Sequence, residues 1–274
     1  MHRIIQGHDG PLKIDEDRQT VTKTYLHCDH ETALRQAERE VSYATRLSAA
    51  LSHVAGLACP RILDWDLTPP PCVVMTLCPG QVLSRFLRQP RRQDAVAKIA
   101  DRIHRGIDIY IGLFGEACHD FSFQNMLYDE TTEVLTLLDF GLPARIDETP
   151  RHPPLEASLG NLVGCACYDL VQPSHLLSPK QGYLKTLRAV LATFEGRVCN
   201  RRIRTAAQSA LMRLTQAGGA GRRKYYDTIG AAMVRRYFDQ LKLGPAAAAS
   251  ANITGCSDGI SDAENTESTS RNKP

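Results

Sequence analysis

Three polar residues in the middle of the sequence have the types and spacing that metal-dependent phosphate chemistry needs. Asp120 lies in the segment CHDFSFQN, Asn125 follows five residues later, and Asp139 ends the apolar run VLTLLD. Carboxylate and amide oxygens are ligands that Mg²⁺ accepts, and a second carboxylate can take or orient the proton of a hydroxyl group. Each short motif alone is a weak signal, so the prediction depends on their order and on the 19-residue separation of Asp120 from Asp139.

An upstream lysine and glutamate could complete such a site by holding phosphate groups. Lys23 lies in TVTKTY, and Glu40 lies in the middle of a segment rich in Ala, Glu, Arg and Leu. A strand lysine can simply face solvent, and the paired position of Glu40 is what favours a functional role. Glu38 competes with Glu40, but residues two apart on a helix point in different directions, so only one of them can face Lys23.

The elements that would position these residues form a small layered unit. Residues 11–26 contain two alternating stretches around the polar turn DEDRQ, which predicts a hairpin with Lys23 on its second strand. The segment from His30 to Leu51 lacks Gly and Pro and predicts a helix. The segments RILDWDL and CVVMTL predict two more strands, the second of them buried. A small sheet with one helix packed on it follows.

The second part of the chain is predicted to be mostly helical. Apolar residues recur at helical spacing at Val96, Ile99, Ile103 and Ile107. The segments HDFSFQNMLYD and VLTLLDFG, separated by DETTE, predict a loop followed by a hairpin, and residues 184–243 predict further helices interrupted near Gly218.

These patterns together predict an α+β chain with two lobes and a tail. Residues 1–78 form a small β-rich N-terminal lobe with one helix, and residues 79–244 form a larger helical lobe that carries both polar loops. Residues 245–274 have no large apolar side chains except Ile253 and Ile260, so they cannot bury enough surface to offset the entropy of ordering and are predicted to be disordered.

The polar motifs resemble the catalytic loop and the DFG motif of the protein-kinase-like superfamily over residues 11 to about 145. The resemblance implies a two-lobed kinase fold that binds ATP and Mg²⁺. It further implies that Asp120 is the catalytic base and that Asn125 and Asp139 are metal ligands. Gly141 matches the glycine that lets the chain turn after the metal site.

The same resemblance implies cofactor-binding roles for Lys23, as the strand lysine that holds the ATP phosphates, and for Glu40, as its helical partner. The sequence also departs from the pattern. Cys118 stands where kinases often have His, and His119 stands where they have Arg or Gly. His119 is predicted to form a hydrogen bond with the backbone. The alternative is a contact with the molecule that accepts the phosphoryl group. Ser122 replaces the lysine that is usual in protein serine/threonine kinases.

The phosphate loop and the segment after the DFG-like motif also differ from those of protein kinases. IIQGHDGPL supplies only Gly7 and Gly10, which predicts a loose grip on nucleotide. The segment PARIDETPRHPPLE is short and lacks an APE-type ending, a feature shared with aminoglycoside phosphotransferases and kinases of lipopolysaccharide core sugars. A small hydroxyl-bearing acceptor is therefore favoured over a protein.

Composition excludes several other classes of function. The net charge is +3 from 33 basic and 30 acidic side chains, so no nucleic-acid partner is expected. The nine cysteines contain no two CxxC pairs, which predicts reduced thiols and no zinc site. No apolar run approaches the ~20 residues of a membrane span, and the N-terminus lacks a signal-peptide pattern, so a cytoplasmic location is expected.

Other polar residues have weaker claims to a functional role. Asp169 could anchor the second lobe or orient the catalytic loop, but a helix N-cap or a surface position is the more common meaning of such a residue. The pair Cys165 and Cys167 is a weak metal signal, because buried cysteines often behave as small apolar residues. Some basic clusters could bind an acidic acceptor, but such clusters more often mark solvated helix faces. They occur at Arg201/Arg202/Arg204, Arg222/Arg223/Lys224 and Arg235/Arg236.

The sequence therefore predicts a kinase that transfers the γ-phosphoryl group of Mg-ATP to a hydroxyl of a small molecule or sugar. The first alternative is a protein serine/threonine kinase of the same fold. The second alternative is a pseudokinase that binds partners without catalysis. The poor glycine loop supports this alternative. The presence of all four of Lys23, Asp120, Asn125 and Asp139 argues against it.

Overall fold

The computed structural model describes residues 2–6, 10–26, 29–89, 95–140, 152–175, 177–217 and 219–244. The fold is mixed α+β, with a β-rich N-terminal part and a helical C-terminal part, which confirms the predicted fold class and is consistent with a two-lobed kinase-like arrangement. The predicted tail, residues 245–274, lies outside the described residues.

Nine strands and eight α-helices make up the described part of the chain. The strands are β1 His2–Gln6, β2 Pro11–Asp15, β3 Thr20–Thr24, β4 Leu57–Ala58, β5 Ile62–Asp66, β6 Cys72–Thr76, β7 Gln81–Val82, β8 Met126–Asp129 and β9 Val134–Leu137. The helices are α1 His30–Leu51, α2 Leu83–Phe86, α3 Val96–Phe114, α4 Pro154–Leu170, α5 Gln181–Thr193, α6 Asn200–Ala217, α7 Gly219–Tyr225 and α8 Ala231–Gln240.

The N-terminal sheet has the strand order β1-β2-β3-β6-β5, and every neighbouring pair is antiparallel. The predicted hairpin is β2–β3, and Lys23 lies opposite Leu12 on one side and Val73 on the other. Because β3 has a hydrogen-bonded neighbour on each side, the backbone of Lys23 is fixed and its side chain starts from a rigid position.

Helix α1 has the predicted bounds, and one buried stripe along it packs first on this sheet and then on the core of the C-terminal part. The Asp29 carboxylate caps the helix by accepting the Thr32 backbone N–H at 2.9 Å. The buried stripe follows three- and four-residue steps and contains Ala33, Ala37, Glu40, Ala44, Leu47 and Leu51. Glu40 is therefore carried into the core by the same periodicity that buries its apolar neighbours.

The C-terminal part contains a second sheet and the long helix α3. The sheet order is β4-β9-β8-β7, and β8–β9 is the predicted hairpin. Helix α3 buries Ile99, Ile103 and Ile107, as their spacing predicted, and it ends at Gly115, whose left-handed φ of 69° suits a residue without a side chain.

Helix α4 was not predicted, and it is the most buried helix of the C-terminal part. It packs so closely along α6 that its glycines have no room for a side chain. A Cβ at Gly160 would lie 2.3 Å from the Ala206 Cβ, and a Cβ at Gly164 would lie 2.7 Å from the Ala207 carbonyl oxygen. The glycines lower helix propensity, and burial on all sides removes the apolar periodicity by which helices are predicted. The helices predicted after residue 184 are present as parts of α5 to α8.

Candidate active site

Lys23 lies between two carboxylates that come from distant parts of the chain. Its Nζ donates to Asp139 Oδ1 at 2.7 Å and to Glu40 Oε2 at 3.4 Å. The side chains of Lys23 and Glu40 are 9% and 3% exposed, whereas that of Asp139 is 30% exposed. Glu38 is exposed, so Glu40 is the carboxylate of α1 that faces the lysine. Three predicted site residues are thus brought together from β3, α1 and the end of β9.

Helix α1 also fixes the backbone that follows Asp139. The Phe140 N–H donates to Glu40 Oε2 at 3.2 Å, and Arg39 Nε donates to the Phe140 carbonyl oxygen at 3.2 Å. Asp139 itself has a positive φ of 58°, which is uncommon for a residue with a side chain and occurs often at functional sites. The turn is therefore held from both sides, and its predicted continuation, Gly141, lies outside the described residues.

The charges in this cluster keep Lys23 protonated. Burial alone would lower the pKa of Lys23, but Glu40 and Asp139 raise that pKa well above its usual range. Burial raises the pKa of Glu40, and Asp139 adds to the effect while Lys23 opposes it. The result is a fixed cation with a partly exposed carboxylate beside it, an arrangement suited to binding phosphate and a divalent metal.

The loop with Asp120 is bonded to the strand that carries Asp139. Asn125 Nδ2 donates to the Asp120 carbonyl oxygen at 3.1 Å, and the Leu138 N–H donates to the Asn125 carbonyl oxygen at 2.9 Å. This orientation of the Asn125 amide leaves its Oδ1 as the atom that a metal would use. Asp120 and Asn125 are partly buried and lie on one loop, so the predicted base and both predicted metal ligands belong to one hydrogen-bonded framework.

Helix α4 holds this loop through the backbone of Cys118. The Cys118 N–H donates to Ser158 Oγ at 3.0 Å, and Asn161 Nδ2 donates to the Cys118 carbonyl oxygen at 3.2 Å. Ser158 is fully buried and Asn161 is 4% exposed. Sequence reasoning did not select either residue, since buried serines and asparagines inside a helix give no motif signal.

The prediction that Asp169 is a helix cap or a surface residue is wrong. It lies near the end of α4, is 3% exposed, and accepts a hydrogen bond from Gln124 Nε2 at 3.0 Å. Its carboxylate also accepts hydrogen bonds from Arg88 and from the Tyr183 hydroxyl. Because Gln124 is next to Asn125, Asp169 joins the loop of Asp120 and Asn125 to Arg88, just after α2, and to α5. This is the orienting role that the sequence makes the less common alternative.

Cys118 and His119, two of the residues that depart from the kinase pattern, have different surroundings. Burial raises the pKa of the Cys118 thiol far above neutrality, so it is protonated and a poor nucleophile. His119 has no hydrogen-bond partner among the described residues, so the predicted backbone bond is not seen there. Burial lowers the pKa of His119, and Arg213 and Arg39 lower it further while Glu116 raises it. His119 is therefore neutral near pH 7.

Several weaker candidates have structural contacts. Arg204 is buried and lies 3.6 Å from Asp239, and Arg202 lies 3.8 Å from Glu156. Gly10 leaves no room for a side chain, because a Cβ there would lie 1.9 Å from the Thr24 carbonyl oxygen. Gly7 and the side chain of Arg222 lie outside the described part of the structure.

The residues present fit a magnesium ion better than a metal held by protein alone. Within the described residues, no cluster of three or more His, Cys, Asp or Glu side chains could hold a metal. Mg²⁺ is usually bound by one or two protein oxygens together with substrate phosphates and water. Asp139 and Asn125 supply such a pair.

None of the helices in the described ranges has the length and apolarity needed to span a bilayer.

Comparison with known proteins gives no family assignment. No protein-family model matches the chain, and no curated protein matches it in sequence. Among the many solved chains that match is the kinase PK-1 of the Cydia pomonella granulovirus, at 13% sequence identity and a TM-score of 0.36. The match covers 52% of this chain and 51% of the viral kinase, so it spans about half of each. The site geometry therefore carries the functional argument.

Proposed function

We propose that this protein is an ATP-dependent phosphotransferase of the protein-kinase-like superfamily, acting on a hydroxyl group of a small molecule or sugar. The observation that carries the proposal is the contact of Lys23 with both Glu40 and Asp139. Residues 116 positions apart in the chain meet with the charges needed for phosphate and metal, and they meet beside a loop with a carboxylate at Asp120.

Each residue has one role in this proposal. Lys23 holds the α- and β-phosphates of ATP, and Glu40 keeps the lysine in place. Asp139 and Asn125 Oδ1 hold Mg²⁺, which when bound neutralises charge on the transferred phosphoryl group. Asp120 accepts or orients the proton of the attacking hydroxyl.

The short segment before α4 supports a small acceptor over a protein. Helix α4 begins at Pro154, only fourteen residues after Phe140, so little chain is present from which to build a groove for an extended peptide. A small molecule with a hydroxyl group needs only a pocket beside Asp120.

The test is transfer of the γ-phosphate from Mg-ATP by the purified protein to a panel of sugars, sugar phosphates, aminoglycosides and protein substrates. We expect transfer to a small-molecule hydroxyl, with losses of at least about 100-fold for Asp120→Asn and Asp139→Asn. Asp101→Asn on the exposed face of α3 is the matched control and should keep full activity. Transfer to protein serine or threonine alone would support the protein-kinase alternative. Nucleotide binding without any transfer would support the pseudokinase.

A further inference from the structure

Arg213 is tied to the catalytic loop through a single buried amide. Its Nη2 donates to Asn161 Oδ1 at 2.8 Å, and Asn161 Nδ2 donates to the Cys118 carbonyl oxygen at 3.2 Å. Asn161 is 4% exposed, so the amide at the centre of this bridge is shielded from water, whereas its Arg213 end is exposed. The guanidinium of Arg213 therefore has a defined position relative to a loop residue two positions before Asp120.

The charge of Arg213 is not neutralised within the described part of the structure. Arg39 pairs with Glu116 and Arg88 pairs with Asp169, but no described carboxylate forms an ion pair with Arg213. Its side chain is exposed, and Asn161 uses only one of its five N–H donors. The remaining donors can bind a partner from outside the chain.

The hydrogen bonds through Asn161 place Arg213 beside the loop that carries Asp120. Burial raises the pKa of the Cys165 thiol to about 12, the Asp120 carboxylate adds to the rise, and Arg213 opposes it. Arg213 also contributes to the low pKa of His119, the neighbour of Asp120. Because Arg213 is joined through Asn161 to Cys118, two residues before Asp120, an acceptor whose hydroxyl is at Asp120 has this cation close to its other groups.

We propose that Arg213 binds a phosphate or carboxylate group that the acceptor carries in addition to its reacting hydroxyl. A guanidinium with free parallel donors binds such oxyanions through two hydrogen bonds at once, which fixes orientation as well as affinity. The inference rests on the proposed function and narrows it to acidic acceptors such as sugar phosphates or sugar acids. Polycationic acceptors such as aminoglycosides are disfavoured by the same charge.

The first test measures binding without phosphoryl transfer, so it remains informative if catalysis is not observed. Calorimetry in the presence of Mg-ADP compares sugar phosphates and sugar acids with their neutral parent sugars. We expect at least one anionic sugar to bind at least 10-fold more tightly than its parent, a preference that Arg213→Gln removes and Arg213→Lys reduces. Arg201→Gln, an exposed arginine on the same helix, should keep the preference. Equal binding of every pair, or equal effects of the Arg213→Gln and Arg201→Gln changes, would overturn the inference.

The second test uses His119 as a reporter and inorganic phosphate as the probe. An anion on Arg213 removes one cause of the low pKa of His119, so phosphate should raise the pKa measured by NMR, with the signal assigned through His119→Gln. The rise should be absent in Arg213→Gln and present in Arg201→Gln. A phosphate-induced rise of the same size in Arg213→Gln would contradict the proposed site.

Discussion

Lys23 and Asp120 both belong to the candidate site, but they are held in different ways. Lys23 is fixed by ion pairs with Glu40 and Asp139, two side chains from separate elements. The loop of Asp120 is fixed through its backbone, by the neutral side chains of Ser158 and Asn161. The charged groups around Lys23 can also act on phosphate and metal. The neutral side chains of Ser158 and Asn161 only set the geometry of the Asp120 loop. Substitutions in the two regions should therefore fail differently.

The largest effect is expected for Lys23→Met, which leaves Glu40 buried without its cation. Removing one partner of a buried ion pair costs about 3–5 kcal/mol in the free energy of unfolding, and phosphoryl transfer should fall by at least about 100-fold. The double substitution Lys23→Met/Glu40→Gln should recover part of the stability, since no charge is then buried alone, but none of the transfer. Urea unfolding and the transfer assay measure both quantities, and unchanged stability of Lys23→Met would mean that the ion pairs do not hold this region.

The next effect is expected for Asp169→Ala, which removes the buried carboxylate that accepts the Gln124 amide beside Asn125. Arg88 loses its ion-pair partner, so unfolding should become easier by about 3–5 kcal/mol. Transfer should fall as well, because Gln124 loses its bond beside Asn125. The matched control is Asp101→Ala, which removes an exposed pair with Arg105 and should cost less than about 1 kcal/mol. Equal costs for the two variants would contradict the structural role of Asp169.

A smaller effect is expected for Ser158→Ala, which leaves the Cys118 N–H without its acceptor. An unsatisfied buried backbone donor costs about 1–3 kcal/mol. The turnover number should fall while the affinity for ATP without Mg²⁺ stays unchanged, since the loop moves but Lys23 does not. Ser209→Ala on α6, where the hydroxyl only bonds the preceding turn, should change stability by less than about 0.5 kcal/mol. A weaker affinity for metal-free ATP in Ser158→Ala would show that the two regions are not separable.

The smallest effect is expected for His119 and depends on pH. Its pKa in the folded protein is below the usual 6.5, so the unfolded chain binds the proton more readily. Its contribution to stability is complete above about pH 6.5 and is lost as the pH falls towards the lowered value. His119→Gln should therefore lose less stability than the unsubstituted protein between pH 7.5 and 5.5. Equal losses by urea unfolding would show that the pKa of His119 is not lowered.

The ionic region could be predicted from the sequence because its residues lie on regular, amphipathic elements. The spacing of Ala33, Ala37 and Glu40 along α1 follows one helical stripe, and Lys23 lies on a hairpin strand. The contact between Lys23 and Glu40 follows once the helix packs on the sheet. Strand β1 gave no comparable signal, because a single edge strand of five residues has too short a pattern.

The neutral region could not be predicted because its supports lie on a helix without periodicity. Gly160 and Gly164 allow α4 to approach α6, and this close packing buries residues on every face of the helix. The sequence favours a cap or surface position for Asp169, because buried ionised side chains are rare unless they are paired. Its partners Arg88 and Tyr183 are far from it in sequence, so only the three-dimensional structure identifies the pair.

The most direct test of the central claim is the dependence of ATP binding on Mg²⁺ in the unsubstituted protein and in Asp139→Ala. If Asp139 is a metal ligand beside Lys23, Mg²⁺ should tighten ATP binding in the unsubstituted protein by at least about 10-fold, which is 1.4 kcal/mol, and should not do so in the folded variant. The same Mg²⁺ effect in both proteins, or no ATP binding by either, would contradict the assignment of this cluster as a Mg-ATP site.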